Sequence, residues 1–487
     1  MISTQALAIM VVAAPLLTAG FVIVAPSKQL TVLARASAVA TSALALVLVA
    51  RAVKDAGHPL IGNWIVVDAA GALLLSVTAV VGLVSVLMSA SYLQSAHSSF
   101  VADGHRDRVY YVVVFVFWAM LLAVPLAGNL GAAWLVVEAT TATSALLVGF
   151  SGKAHALEAG WKYLILTSLG LGIALLGIAI LAAGVPTGEV SGLAWGRLAT
   201  FGSGRATALS AYLLIVVGLA AKIGWAPVHN WLPDAHSQAP PPVSALLSAA
   251  LLPTVLLVAW RTERALAPLI GVSAAQRVLI GFGLVSLAVA VPFLWRPMAF
   301  KRLLAYSSLE HLGVMALGIG FGTPLALAGV ALHIVGHAIA KALGFCAAIP
   351  LLAHEPRSAR HAVSGIGRTA PALGATMGLS LGALSGLPPS PLFVSELLIL
   401  AGGFESGRAW PAAIAAVLLA LGFLGVAHAT IDTLVGKAHR RNMTPLPGLR
   451  LVTGLGGVSM IVLVGLTAVA PWLSGSSFVA ALVRGLP

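Results

Sequence analysis

The chain has 487 residues, 60% of them hydrophobic and only 8% charged, with a formal net charge of +13 at pH 7. An ordinary soluble domain carries roughly 25% charged residues, so a water-soluble globule is excluded for want of a polar surface. Nucleic-acid binding is not implied by the basic excess, because the lysines and arginines sit in short loops between apolar runs with no aromatic interleaving.

Apolar runs of about 20 residues recur along the whole chain, and at about 1.5 Å per residue each can cross a bilayer core. Fourteen spans are predicted, at 5–25, 31–50, 66–92, 109–127, 129–150, 161–183, 206–225, 240–260, 268–291, 301–320, 323–351, 371–402, 410–433 and 450–472. The expected class is an all-α polytopic membrane protein. The first span lacks a basic leading region and reads as a retained membrane helix, not a removable signal. Near the end of the seventh, Lys222-Ile-Gly-Trp-Ala-Pro227 breaks the helix. The twelfth is too long for one helix and contains the breaker Ser385-Gly-Leu-Pro-Pro-Ser-Pro391, with Pro388 and Pro389 at its centre. Such breaks at membrane depth are tolerated only against protein or a wet cavity, and in corresponding positions of two halves they point to ion sites. The single cysteine, Cys346, lies in an apolar span, so neither a disulfide framework nor a cysteine metal cluster is expected.

Orientation follows from the loop charges. Placing both termini outside puts Arg106, Arg108, Lys162, Lys301, Arg302, Arg357, Arg360, Lys437, Arg440 and Arg441 among the inner charges. Arg51, Arg197, Arg205, Arg261, Arg264, Arg277 and Arg408 then fall outside. The larger share lies inside, as the positive-inside rule requires.

Ionisable residues within spans are few. They are Glu138 on the fifth, Lys222 on the seventh, Glu310 and His311 on the tenth, His333, His337 and Lys341 on the eleventh, and Glu396 after the break of the twelfth. A charge at the bilayer centre costs at least about 2.5–3.5 kcal/mol, so these groups must pair, lose their charge or line water. Burial disfavours the charged form of a carboxyl or an amine, whereas a carboxylate–ammonium pair favours both. Groups balanced between the two effects can exchange protons when a neighbour moves. Hydrogen-bonded glue between helices is the bland reading for Glu138, and snorkelling to an interface is that for Lys222. The spacing of four places His333, His337 and Lys341 on one helix face. Two histidines so spaced could hold a metal, but neither a third ligand nor HExxH accompanies them. That leaves a proton relay or hydrogen-bonded core histidines. Glu310 and His311 are adjacent and face different sides, so one of them is expected to line the main path. No nucleophile triad, phosphate loop or redox-cofactor motif occurs, and no cofactor or metal is expected in the chain.

One long segment is distinctive: Lys222-Ile-Gly-Trp-Ala-Pro-Val-His-Asn-Trp-Leu-Pro-Asp-Ala-His-Ser-Gln-Ala-Pro-Pro-Pro-Val-Ser-Ala-Leu-Leu-Ser248. It resembles the signature of the proton-translocating, Mrp-antiporter-like subunits of respiratory complex I and membrane-bound hydrogenases. Two further segments agree, Phe300-Lys-Arg-Leu-Leu-Ala-Tyr-Ser-Ser-Leu-Glu-His-Leu-Gly313 and His333-Ile-Val-Gly-His-Ala-Ile-Ala-Lys-Ala-Leu-Gly-Phe345. The resemblance covers roughly residues 66–435, and Val137-Glu-Ala-Thr-Thr141 with the Glu310-His311 pair is most similar to the hydrogenase-4 component F type. It implies fourteen helices with two inverted five-helix repeats and broken helices 7 and 12. The corresponding division is 1–108, a first repeat 109–260, a second repeat 261–435, and 436–487 for the last helix.

The resemblance also implies roles. Glu138 matches the fifth-helix glutamate that modulates the seventh-helix lysine, matched by Lys222. His337 and Lys341 match the central hydrophilic axis, and Glu396 matches the twelfth-helix exit residue. Pro227, His229, Asp234 and His236 are expected to shape the seventh-helix break and hold water. One departure matters: many relatives carry an eighth-helix lysine, whereas Leu246-Leu-Ser-Ala-Ala-Leu-Leu-Pro-Thr254 offers no ionisable group and puts Pro253 near that place. The implied function is a non-catalytic, proton-translocating membrane subunit of a hydrogenase-4, formate-hydrogenlyase or NADH–quinone oxidoreductase type complex. The implied partners are other membrane subunits, a peripheral redox arm, the lipid bilayer and protons. The implied location is a bacterial or archaeal plasma membrane. The alternatives are a multisubunit cation/proton antiporter component and an energy-coupling subunit for inorganic carbon uptake.

Overall fold

The computed structural model describes residues 2–55, 59–95, 105–185, 190–199, 204–354, 363–437, 448–473 and 475–484. Arg357, Arg360, Arg440 and Arg441, used above for orientation, lie outside them. The N-terminal group of helices is α1 (Thr4–Val24), α2 (Leu30–Lys54) and α3 (Ala69–Ser95). Next come α4 (Arg106–Ala123), α5 (Leu130–Val148), α6 (Ala154–Ala182), α7 (Arg205–Ile223), α8 (Trp231–Gln238), α9 (Pro241–Ala245) and α10 (Leu252–Ile270). The third group is α11 (Val272–Leu294), α12 (Phe300–Phe321), α13 (Pro324–His354), α14 (Ile366–Thr369), α15 (Pro371–Leu384), α16 (Pro391–Glu405) and α17 (Ala409–Val435). The chain closes with α18 (Leu449–Leu473) and α19 (Ser477–Arg484). A two-residue hairpin, β1 (Leu60–Ile61) with β2 (Val66–Val67), pairs Leu60 with Val67 in antiparallel register.

Among the described residues, 13 helices are long and apolar enough to cross a membrane. The twelfth span completes the expected fourteen as two half-helices, α15 and α16. The outward surface is apolar where a water-soluble helix would be polar: Trp410 is 82% exposed, Ile461 75% and Trp472 73%. That surface is covered by lipid or neighbouring membrane protein. Local caps follow the usual chemistry, with the Asn129 side chain accepting from Ala132 N at 2.7 Å to start α5.

Both predicted breaks are present. The α7 helix ends at Gly224, whose φ of 81° is the left-handed conformation that glycine adopts without penalty. Its freed backbone groups are satisfied by side chains. Trp231 Nε1 donates to Ala221 O at 2.7 Å, and Ala226 N donates to Ser286 Oγ at 3.1 Å. The second break runs from Ser385 to Ser390 and holds a positive-φ Gly386. Ser390 Oγ donates to Ala383 O and accepts from Leu392 N. Cis peptides occur in both breaks, at Ala226-Pro227 and Pro388-Pro389. These are the broken helices that membrane transporters tolerate because side chains re-satisfy the backbone.

Two span boundaries lie well away from expectation, each where charge sits inside a helix. The sixth span begins at Ala154, not 161, so Glu158 belongs to α6, where it pairs with Lys162. The eighth span runs on to Ile270, not 260, and the division at 260/261 therefore falls within α10. Arg261 consequently is not a loop charge. It is 2% exposed and donates to Asp68 Oδ1 at 2.8 Å, an ion pair that lets a helix continue through an arginine. Lys301 likewise is buried, in the first turn of α12, where it donates to Ser237 O and Ala239 O at the C-terminal end of α8. A cation there meets the unpaired carbonyls of a helix end.

Candidate functional site

The first cluster is built on Lys222, in the last turn of α7 and fully buried. Its ammonium donates to Thr141 Oγ1 on α5 at 2.7 Å and to the Tyr163 hydroxyl on α6 at 2.5 Å, and lies 4.6 Å from the centre of the Tyr163 ring. The Tyr163 hydroxyl also pairs with Ser144 Oγ at 2.6 Å. This proximity depends on glycine: a methyl at Gly170 or Gly218 would overlap the facing backbone of α7 or α6. Glu138 stands one turn before Thr141. Its Oε1 accepts from Ser168 Oγ at 2.8 Å, and its Oε2 has no hydrogen-bond partner. Hydroxyls are thus the direct contacts of the Lys222 ammonium, and no hydrogen bond joins it to Glu138. The Glu138 side chain is half-buried and stands on an outward wall with Leu135, 62% exposed, and Leu169, 63% exposed.

The second cluster joins α12, α13 and α16. His311 Nδ1 and His333 Nε2 are 3.0 Å apart, and His333 Nδ1 is 2.8 Å from Ser395 Oγ. The His337 ring lies 5.3 Å from that of His311, and neither of its nitrogens is hydrogen-bonded. Lys341 donates to Leu304 O at 2.5 Å and to Ser307 Oγ. Glu310 turns away from the histidines towards α17, where its carboxylate occupies the room left by Gly422. Glu396 is half-buried, with its carboxylate against Gly386 of the break. One ligand-type atom each from His311, His333 and Glu396 lies within 4.8 Å of the others. The His333–His337 pair considered from the spacing is not the set that meets; His333 instead meets His311 and Glu396 from two other helices, a juxtaposition that no local pattern encodes.

Between the clusters lies the segment that lacks an ionisable residue. It contains a π-helical turn, Leu246–Leu251, immediately before Pro253 in α10. A π-turn widens the helix and is frequent at functional sites. Here Ser248 Oγ meets Ser308 Oγ at 2.8 Å, and Ser308 in turn donates to Leu304 O, the carbonyl that Lys341 also contacts. A second connection is aromatic. Tyr163 packs on Trp231 at 4.7 Å, Trp231 on His236 at 6.5 Å, and His236 on Phe345 at 5.3 Å. His236 is fully buried and both its ring nitrogens lack hydrogen-bond partners.

Of the remaining motif residues, His229 is 8% exposed with an unpartnered Nδ1, and Pro227 forms the break itself. Asp234 stands apart from the break. It bonds Arg302 at 3.1 Å and lies 3.8 Å from Lys162, tying α8 to α12 and α6. Sequence reasoning passed over Thr141, Ser144, Tyr163, Ser168, Ser248, Ser308 and Ser395. Hydroxyls inside apolar spans were the available signal. It also passed over Glu263, 3% exposed in α10, and the Asp68–Arg261 pair.

Comparison with known proteins accords with this architecture. Residues 127–422 match the family described as NADH:quinone oxidoreductase/Mrp antiporter, TM. The chain is 32% identical to the hydrogenase-4 component F homolog of Methylacidiphilum infernorum over 377 residues, 74% of this chain and 78% of that protein. It is 27% identical to NADH-quinone oxidoreductase subunit N of Salinibacter ruber over 350 residues, covering 70% and 67% of the two chains. Among solved structures, a chain of an archaeal membrane-bound sulfane sulfur reductase superposes with a TM-score of 0.85 at 21% identity, covering 99% of this chain and 97% of that one. A chain of Thermus thermophilus respiratory complex I gives 0.79 at 20% identity, with 98% and 99% covered. The chain is thus a polytopic membrane protein and belongs to the NADH:quinone oxidoreductase/Mrp antiporter family.

Proposed function

We propose that this chain is a proton-translocating membrane subunit of a complex-I-like respiratory assembly, of the hydrogenase-4 or NADH–quinone oxidoreductase type. One observation carries the reading. Two buried clusters of titratable groups each stand beside a broken helix, with the Ser248–Ser308 hydroxyl pair and the buried, unpartnered imidazole of His236 in the packing around them. Lys222 gives its proton by way of His236 towards Lys341 and the histidines, and Glu396 passes it on at the α15–α16 break. Glu138 is the input. A change of charge beside its half-exposed carboxylate alters how strongly it holds the Lys222 proton. Partner membrane subunits cover this wall and convey the redox event from a peripheral arm. The plasma membrane, with both termini outside, suits the loop charges.

Incorporation of the intact complex into proteoliposomes tests the reading. Glu138→Gln and Lys222→Ala, assembled normally, are each expected to abolish coupled proton uptake; unaltered uptake in both sinks it. The Mrp reading has the family match behind it, since that family takes in Mrp antiporters as well. The ring and ammonium nitrogens that dominate the second cluster suit protons better than sodium, which prefers oxygen. Sodium-dependent transport without a redox partner would favour the antiporter.

A further inference from the structure

We propose that His311, His333 and Glu396 form a binding site for a divalent transition-metal ion of the zinc type, and that the ion locks α12, α13 and α16 together when bound. The site itself stands on geometry alone; its effect on transport rests on the function proposed above.

The donor atoms are already gathered, one from each of three helices, within 4.8 Å. Zinc holds nitrogen at about 2.0–2.1 Å, which places neighbouring donors of a tetrahedron roughly 3.3–3.5 Å apart. His311 Nδ1 and His333 Nε2, at 3.0 Å, are near that spacing, so Glu396 alone must draw inwards. Half-buried against Gly386 of the helix break, it is the one donor not fully enclosed, and this is the side from which an ion can enter.

Orientation of the rings is fixed by an outer hydrogen bond. The Ser395 hydroxyl donates to Leu392 O at 2.7 Å, so its oxygen accepts from His333 Nδ1–H. The Nε2 lone pair of His333 then points into the cluster. A metal-ligating histidine characteristically has its second nitrogen held in this way. A fourth position is at hand. His337 is fully buried beside His311, and both of its nitrogens lack partners, which is unusual for buried polar atoms. Imidazole nitrogens with one carboxylate select zinc, cobalt or nickel over magnesium, calcium or sodium. On binding, the ion takes the place of the hydrogen bond between His311 Nδ1 and His333 Nε2; the His311 proton moves to its unpartnered Nε2 and both rings stay neutral, so the ion and a proton on His311 Nδ1 are exclusive.

The test uses the full-length chain in detergent, stripped with a chelator and titrated with Co2+ and with Zn2+. One equivalent is expected to bind, with visible cobalt bands of a four-coordinate nitrogen–oxygen site. His333→Gln with Glu396→Gln is expected to weaken binding at least tenfold, and Ser395→Ala, which removes only the outer hydrogen bond, about 10–100-fold. Absence of stoichiometric binding by the folded wild-type chain overturns the proposal, as does unchanged affinity in a His311→Gln/His333→Gln double variant. If those variants do not fold, X-ray absorption of the zinc-loaded wild type decides: an all-oxygen shell without imidazole overturns it. Proton uptake by the intact complex in proteoliposomes, kept free of metal by a chelator, separates the two readings. Uptake by the complex without metal binding by the chain sinks only the metal site, and metal binding without uptake by the metal-free complex sinks only the proposed function.

Discussion

The Lys222 ammonium reaches α5 through Thr141, whose hydroxyl accepts from it at 2.7 Å. Replacing Thr141 by valine keeps the shape and removes the acceptor. A hydrogen bond to a charged group contributes about 1.5–3 kcal/mol, so the initial rate of proton uptake in proteoliposomes should fall about tenfold or more. Thr141→Ser should retain most of it. Equal rates for valine and wild type would mean that the hydroxyl has no part in holding the proton.

Gly422 on α17 leaves the room that the Glu310 carboxylate fills. Alanine there should destabilise the chain by about 1–3 kcal/mol through overpacking and displace Glu310. Adding Glu310→Ala should restore much of the loss, because the two positions share one space and their effects are not additive. Thermal melting of the four combinations checks this, and simple additivity would refute the steric account.

Asp68 and Arg261 form a buried ion pair, 7% and 2% exposed. Either Asp68→Asn or Arg261→Met alone should cost about 3–5 kcal/mol by leaving a charge unpaired, whereas Asp68→Leu with Arg261→Met should be far milder. The measurement is again melting in detergent. Proton uptake per folded complex should be unaltered, since the pair touches neither cluster.

His236 stacks on Phe345 with both nitrogens unpartnered. Phenylalanine at 236 preserves the stack and removes the exchangeable proton. If the aromatic connection carries protons between the clusters, uptake should drop at least tenfold while folding is kept. Persistence of uptake in this variant would take His236 off the route.

How much of this was legible in the sequence depended on range. The two breaks were readable because glycine and proline act locally, and they lie where Gly224 and Gly386 put them. The membrane class and the buried charges were readable from apolar run lengths. The eighth span was ended too early at Arg261, because a charge reads as loop unless its partner is known, and Asp68 is far away in sequence. The same limit hid the clusters' composition. Ser395 and Thr141 are unremarkable in their own helices, and Glu396 joins His311 and His333 only through folding. Asp234 belonged to a legible motif, yet its contacts with Arg302 and Lys162 are surface ties outside the break.

Glu138 lies on the outward wall of α5, half-exposed and with one carboxylate oxygen unpartnered. That oxygen is enclosed by the protein, but the side chain as a whole is open to lipid, where an ion costs at least about 2.5–3.5 kcal/mol. A neighbour that covers the wall and brings a cation towards it lowers that cost, so under the proposed function docking is favoured by the same group that takes up the signal. An unassembled chain is in this sense incomplete in charge before it is incomplete in shape. Quality control that senses exposed polarity within the bilayer would single out the orphan subunit at Glu138.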